Sequence, residues 1–231
     1  MTWLSTGWPQ ALDLAGRHLA LTVPAIALSV LLAVPLGRFA HRLPRLGGVL
    51  LGGASLLYAV PALPLLIIVP VLLGLPLRSP LTMVAALTVY GVALLVRTAA
   101  DAFGAVDAQV RQSAVAVGHS ARAIFWRVEL PLAVPVLVSG VRVVTVSTVA
   151  LATVGALVGI PSLGFLFTDG FQRGIAAEVL TGAVATVALA LLLDAAVLVA
   201  GRALAPWHGR ARTIGRRPGS RRFAVPAEVH P

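Results

Sequence analysis

The chain has 231 residues, 58% hydrophobic and only 11% charged, with a formal net charge of +10 and no cysteine. Soluble domains carry about 25% charged residues, so this composition excludes a soluble globular fold, and the missing cysteine excludes disulfides and thiolate metal sites. The eighteen basic residues are all arginine, and in a lipid-embedded chain their placement says more than their sum.

The opening stretch MTWLSTGWPQALDLAGRH (1–18) has neither a basic n-region nor a small-residue cleavage site. We read 1–17 as an extracytoplasmic segment and not as a leader. A span needs about 20 apolar residues, which predicts about five transmembrane helices near 18–37, 49–73, 80–99, 131–157 and 179–201. The second contains YAVPALPLLIIVP (58–70), and Pro61, Pro64 and Pro70 each remove a backbone donor. Such a span is either a kinked, well-packed helix or one that lines a pathway, where freed carbonyls find partners.

Arg38, Arg42 and Arg45 follow the first span; Arg97, Arg111, Arg122 and Arg127 follow the third; seven more follow the fifth. Loops rich in arginine stay in the cytoplasm. Placing these fourteen together requires two spans between 47 and 96, hence five in all, with the N-terminus outside and the C-terminus inside. Arg17, Arg78 and Arg173 then lie on the outer side.

The stretch VRQSAVAVGHSARAIFWRVELP (110–131) is therefore cytoplasmic. Val110, Ala114, Val117, Ala121, Ile124, Phe125 and Val128 recur at helical spacing and predict one apolar face. Asp107 and Ser120 are suited to cap two short helices, and Gly118 to end the first in the left-handed region. On periodicity alone, an amphipathic helix lying on the headgroups fits as well as a docking element.

Within the spans, Arg142 and Asp194 come out at comparable depth, about 16 and 12 Å from the arginine-rich side at about 1.5 Å per residue. Since a lone intramembrane charge is expensive, we expect an ion pair or a shared water-filled cavity; the alternative is a substrate-carboxylate site at Arg142. Thr145, Ser147, Thr148 and Thr153 either bond their own helix and glue neighbours or, with Tyr58 and Pro61, line a translocation pathway. The segment GIPSLGFLFTDGFQRGIAAE (159–178) reads as a re-entrant or interfacial loop with aromatics at headgroup level. The arginine-, proline- and glycine-rich tail, 207–231, is expected to be disordered and drawn to anionic lipid.

Gln112-Ser113-Ala114, Gly118 and Leu130-Pro131 are similar in order and spacing to the EAA…G…LP signature of ATP-binding-cassette (ABC) importer permeases. Gln112 replaces the glutamate, Ser113 the first alanine, and Val128 stands where isoleucine is usual. RVELPLAVPVLVSGVR, LATVGALVGIPSLG and YAVPALPLL extend the resemblance, over roughly 18–206, to the permeases of quaternary-ammonium osmoprotectants (glycine betaine, proline betaine, carnitine, choline). The resemblance implies an all-α type I ABC importer permease fold in the cell membrane. Its coupling helix would seat Arg111, Gln112, Ser113, Ala114, Gly118, His119 and Ser120 in a groove of an ABC ATPase subunit. Gly159, Pro161, Gly164, Phe165 and Phe167 would belong to an extracytoplasmic gate meeting a substrate-binding protein, and a second permease copy or a similar permease would complete the membrane part. With only thirteen aromatics in the chain, the high-affinity aromatic cage is expected on that binding protein.

No Gly-x-x-x-x-Gly-Lys-[Ser/Thr] occurs, so ATP and Mg are expected on the partner ATPase, with no cofactor or metal in this chain. The five histidines, 18, 41, 119, 208 and 230, fall at span ends, in loops or in the tail, and no nucleophile–base or metal motif accompanies them, so we expect no enzyme. No internal duplication supports a stand-alone secondary carrier. An ABC permease for another small amine or amino-acid derivative is the nearer alternative, and nucleic acid is not an expected partner.

Overall fold

A computed structural model describes residues 2–207; the expected basic tail lies, from 208 on, outside them. The described residues form helices α1 (Thr2–Arg42), α2 (Pro44–Ala59), α3 (Ala62–Leu73), α4 (Pro80–Gly104), α5 (Ala108–Ala116), α6 (Ala121–Ile124), α7 (Leu130–Ala152), α8 (Gly164–Arg173) and α9 (Ala176–Leu204). A π-helical turn (Phe125–Glu129) precedes α7 and a 3-10 turn (Thr153–Val158) follows it.

Four stretches are long and apolar enough to cross a membrane alone: Thr6–Arg42, Pro80–Gly104, Ala121–Val158 and Ala176–Leu204. The second predicted span, 49–73, is not one helix. It breaks between Ala59 and Ala62, and α2 and α3 meet at 118°. Pro61 stands at the break, where it restrains the preceding residue from the helical region, and Val60 is extended at φ −68°, ψ 129°.

The register of the helices counts the crossings. Ser29 of α1 donates to the Thr88 carbonyl of α4 at 3.2 Å, Gly37 abuts Ala99 and Ala100, and His41 neighbours Gly104. Numbers rise together, so α1 and α4 are parallel, and α2 with α3 must carry the chain back between them. α7 runs antiparallel to α4, with Gly140 against Leu95 and Thr98 and Gly155 against Met83, and α9 antiparallel to α7, with Gly201 against Val138. Arg38, Arg42, the α5–α6 segment and Arg202 therefore share one end of the bundle. Small residues set these approaches: a side-chain carbon on Gly37 or Gly140 would fall within 3 Å of the opposing helix, the packing mode expected where lipid supplies no hydrophobic drive.

Several boundaries move. α1 starts at Thr2, well before the first predicted span, and Arg17 donates to Asp13 one turn earlier at 2.8 Å, an i,i+4 pair that favours helix over coil. The loop predicted at 38–45 shrinks to Leu43, since Arg38 and Arg42 complete α1 and Arg45 lies on α2. α4 continues to Gly104, which brings Arg97 and Asp101 inside a span. Helix α8 replaces the loop expected in 159–178.

Candidate functional site

The arginine-rich end carries the helix–turn–helix at 108–124. Asp107 caps α5, accepting from the Gln109 N–H at 2.8 Å; Ser120 caps α6, accepting from the Ala123 N–H at 3.2 Å. Between them the Gly118 N–H donates to the Val115 carbonyl at 2.9 Å and the His119 N–H to the Ala114 carbonyl at 3.1 Å. That is a Schellman closure. Gly118 lies at φ +83° with open space where a Cβ would stand; the backbone angle, not crowding, calls for glycine.

The predicted apolar face is not buried as one. Ala114 and Ile124 are buried, but Val110, Val115 and Val117 are 42%, 59% and 74% exposed. Helix α5 is short and stands off the bundle, so only the residues at its root find a neighbour within the chain. Gln112, Ser113, Gly118, His119 and Ser120 are exposed, whereas Ala114 packs inward and Arg111 turns back to pair with Glu129.

Glu129 is the residue that sequence reasoning left without a role. It is 2% exposed, and Arg38 Nη2 lies 3.0 Å, Arg42 Nη2 3.3 Å and Arg111 Nε 3.0 Å from its carboxylate. The Arg38 guanidinium also sits 3.8 Å over the Phe125 ring, a cation–π contact. One carboxylate thus ties the end of α1 and the root of α5 to the turn that starts α7. The signal existed: Glu129 is the lone acidic residue between Asp107 and Asp169, surrounded by arginines.

At mid-bundle, Arg142 Nε and Nη2 donate to Asp194 Oδ1 and Oδ2, both at 2.7 Å. The fork-on-carboxylate geometry is the strong form of this pair.

The residues expected along a pathway do not converge. Tyr58 and Pro61 are exposed on α2 and at the α2–α3 break, Thr145 and Thr148 are buried in α7, and Ser147 is half-buried. The Thr145 hydroxyl donates to the Val141 carbonyl and that of Thr153 to Ala150, bonds back to their own helix. The residues expected at a gate form one connected turn. Gly159 is left-handed at φ +82°, Gly164 packs against the Thr153 carbonyl, Phe165 and Pro161 are exposed and Phe167 is half-buried.

That turn is fastened by a second missed residue, His18, which lies inside α1 and not at a span end. Fully buried, its Nε2 donates to the Val149 carbonyl at 3.1 Å and its Nδ1 accepts from the Leu163 N–H at 3.3 Å. A carbonyl only accepts and an N–H only donates, so the ring is the neutral Nε2–H tautomer. Ser162 adds a bond to the Ala152 carbonyl at 3.0 Å and accepts from the Gly164 N–H at 3.2 Å.

Residues 20–209 match the family model described as binding-protein-dependent transport system inner membrane component. The glycine betaine/carnitine/choline transport system permease protein OpuCB of Bacillus subtilis (strain 168) is 27% identical over 206 residues, covering 89% of this chain and 94% of that one. The osmoprotectant import permease protein OsmW of Salmonella typhimurium is 29% identical over 189 residues, 79% and 86% of the two chains. Among solved structures, an inward-facing conformation of the MetNI methionine ABC transporter superposes with a TM-score of 0.73 at 21% identity, covering 84% of this chain and 95% of that one.

Proposed function

Because this chain belongs to the binding-protein-dependent transport system inner membrane components, it is a multi-pass membrane permease subunit, and we propose that it carries small quaternary-ammonium osmoprotectants of the glycine betaine, carnitine and choline type. The names of its relatives support that cargo. The reading rests on one observation: an exposed helix–turn–helix whose Val110, Val115 and Val117 face away from the chain, while Glu129 ties its root to the bundle. Such an element receives force from outside and passes it to α1 and α7.

In this reading the arginine-rich end faces the cytoplasm. Gln112, Ser113, Gly118, His119 and Ser120, with Val115 and Val117, meet an ABC ATPase subunit, which holds ATP and Mg; Arg111 and Ala114 serve from within, one as clamp and one as packing. The turn at 159–167 faces an extracytoplasmic binding protein, and a second permease copy or a similar permease completes the membrane part.

The test is uptake of labelled glycine betaine into proteoliposomes holding the permease with its ATPase and binding protein, wild type beside Gly118→Pro. Proline fixes φ near −65°, which φ +83° cannot accommodate. Uptake that requires ATP and binding protein in the wild type, and is lost in an assembled Gly118→Pro complex, supports the reading. Robust ATP-driven transport of a different solute replaces the cargo. Failure of any ATPase to co-purify overturns the coupling role.

A further inference from the structure

Helices α2 and α4 lie side by side and antiparallel. Across their seam the Tyr58 and Tyr90 rings stand 5.1 Å apart at 42°, and Arg97 Nη2 reaches the Ser55 hydroxyl at 3.4 Å. Tyr90 and Arg97, seven residues apart, fall on one face of α4, as Ser55 and Tyr58, three apart, fall on one face of α2. Ser55, Tyr58 and Arg97 are exposed and Tyr90 is half-buried. One and two turns before Ser55 the surface is open: a Cβ on Gly52 or Gly48 would meet nothing within 4 Å.

Arg97 differs from the other arginine deep in a span. Arg142 is held bidentate by Asp194, so its charge is already matched by a carboxylate. Arg97 has no carboxylate within ion-pair distance among the described residues, although it stands seven residues short of the end of α4, about 10 Å at the helical rise. A guanidinium at that depth, held only by a serine hydroxyl, is a site looking for an anion.

Beside it are two rings able to attract an onium through their faces. Ser55, where the guanidinium rests, and Tyr58 stand three residues apart on α2, about 4.5 Å of rise, so the rings and the guanidinium are neighbours along one helix face. We propose that this α2–α4 face is a transit subsite for a zwitterionic quaternary amine, the Tyr58–Tyr90 pair taking the onium group and Arg97 the carboxylate. The inference rests on the cargo class given above and adds the residues that read it. Two rings and one open side hold an onium weakly, which suits a passage from which cargo must also leave.

The experiment uses the complete importer in proteoliposomes with labelled glycine betaine, and follows co-purification of the ATPase as the measure of assembly. Loss of a charge-assisted bond predicts uptake down at least about tenfold in Arg97→Gln, with Arg97→Lys within about threefold of wild type. Loss of the ring predicts uptake down about fivefold in Tyr58→Leu, with Tyr58→Phe within about twofold. An assembled Arg97→Gln importer that carries betaine within twofold of wild type overturns the subsite, as does equal loss in the Gln and Lys variants. Where Arg97→Gln does not assemble, the Tyr58 variants decide: unchanged uptake in Tyr58→Leu overturns it. A wild type that transports another solute but no betaine removes the cargo reading itself, a result distinct from either.

Discussion

At the arginine-rich end one carboxylate, Glu129, gathers Arg38, Arg42 and Arg111, whereas at the opposite end the neutral ring of His18 and the hydroxyl of Ser162 tie the 159–164 turn to α1 and α7 through backbone groups. Long arginines can slide over two carboxylate oxygens without all three pairs breaking, so the first fastening tolerates movement of the helix–turn–helix it anchors. The second uses short side chains and directional bonds to main-chain atoms, and holds one geometry. We infer from these contacts a compliant joint at the end that carries the exposed helices and a rigid stop at the other.

Three single substitutions and one double substitution test that contrast. Glu129→Ala removes the hub and leaves three guanidiniums facing one another; breaking a buried pair costs roughly 3–5 kcal/mol, and partial exposure of the arginines brings our expectation to about 3 kcal/mol in the same frame. Thermal unfolding of the purified importer should show the loss, together with release of the ATPase. Full assembly of Glu129→Ala would show that the joint lies elsewhere. Between the two ends, Asp194→Asn strands Arg142 inside a span, and the melting temperature should fall by several degrees. Most of that fall should be recovered when Arg142→Gln is added, because the uncompensated charge is then gone; no recovery means the two residues act independently. The smallest effect belongs to His18→Ala, which orphans the Val149 carbonyl and the Leu163 N–H and should cost about 2 kcal/mol. Hydrogen exchange should then rise at Leu163 and its neighbours while the amides of 108–124 keep their protection. A rise at both ends would abolish the distinction between joint and stop.

Much of the site was legible along the chain. The capping residues Asp107 and Ser120, the left-handed Gly118 and the comparable depths of Arg142 and Asp194 are local properties of a helix. Periodicity could not say what Val110 and Val117 meet, because a face apolar at helical spacing is the same whether it meets this chain, a partner or lipid. His18 was read as a span-end histidine because α1 was expected to begin there; polar residues at its start support helix as well as loop. Arg97 was placed in a loop for the same kind of reason, since apolar content falls off before the helix ends.

By itself the sequence determined the membrane class, four of the spans, the arginine bias that groups one set of ends, and the helix–turn–helix with its caps. Each depends on composition or on spacing within a single helix. Only the tertiary structure decided that Glu129 serves three arginines, that His18 bridges Val149 and Leu163, that α2 and α3 break at 118°, and that Arg97 meets a serine where Arg142 meets an aspartate. Those pairings follow from the register between helices, set where Gly37 meets Ala99 and Gly91 meets Ser29, and a shift of one turn, about 5.4 Å, would exchange every partner.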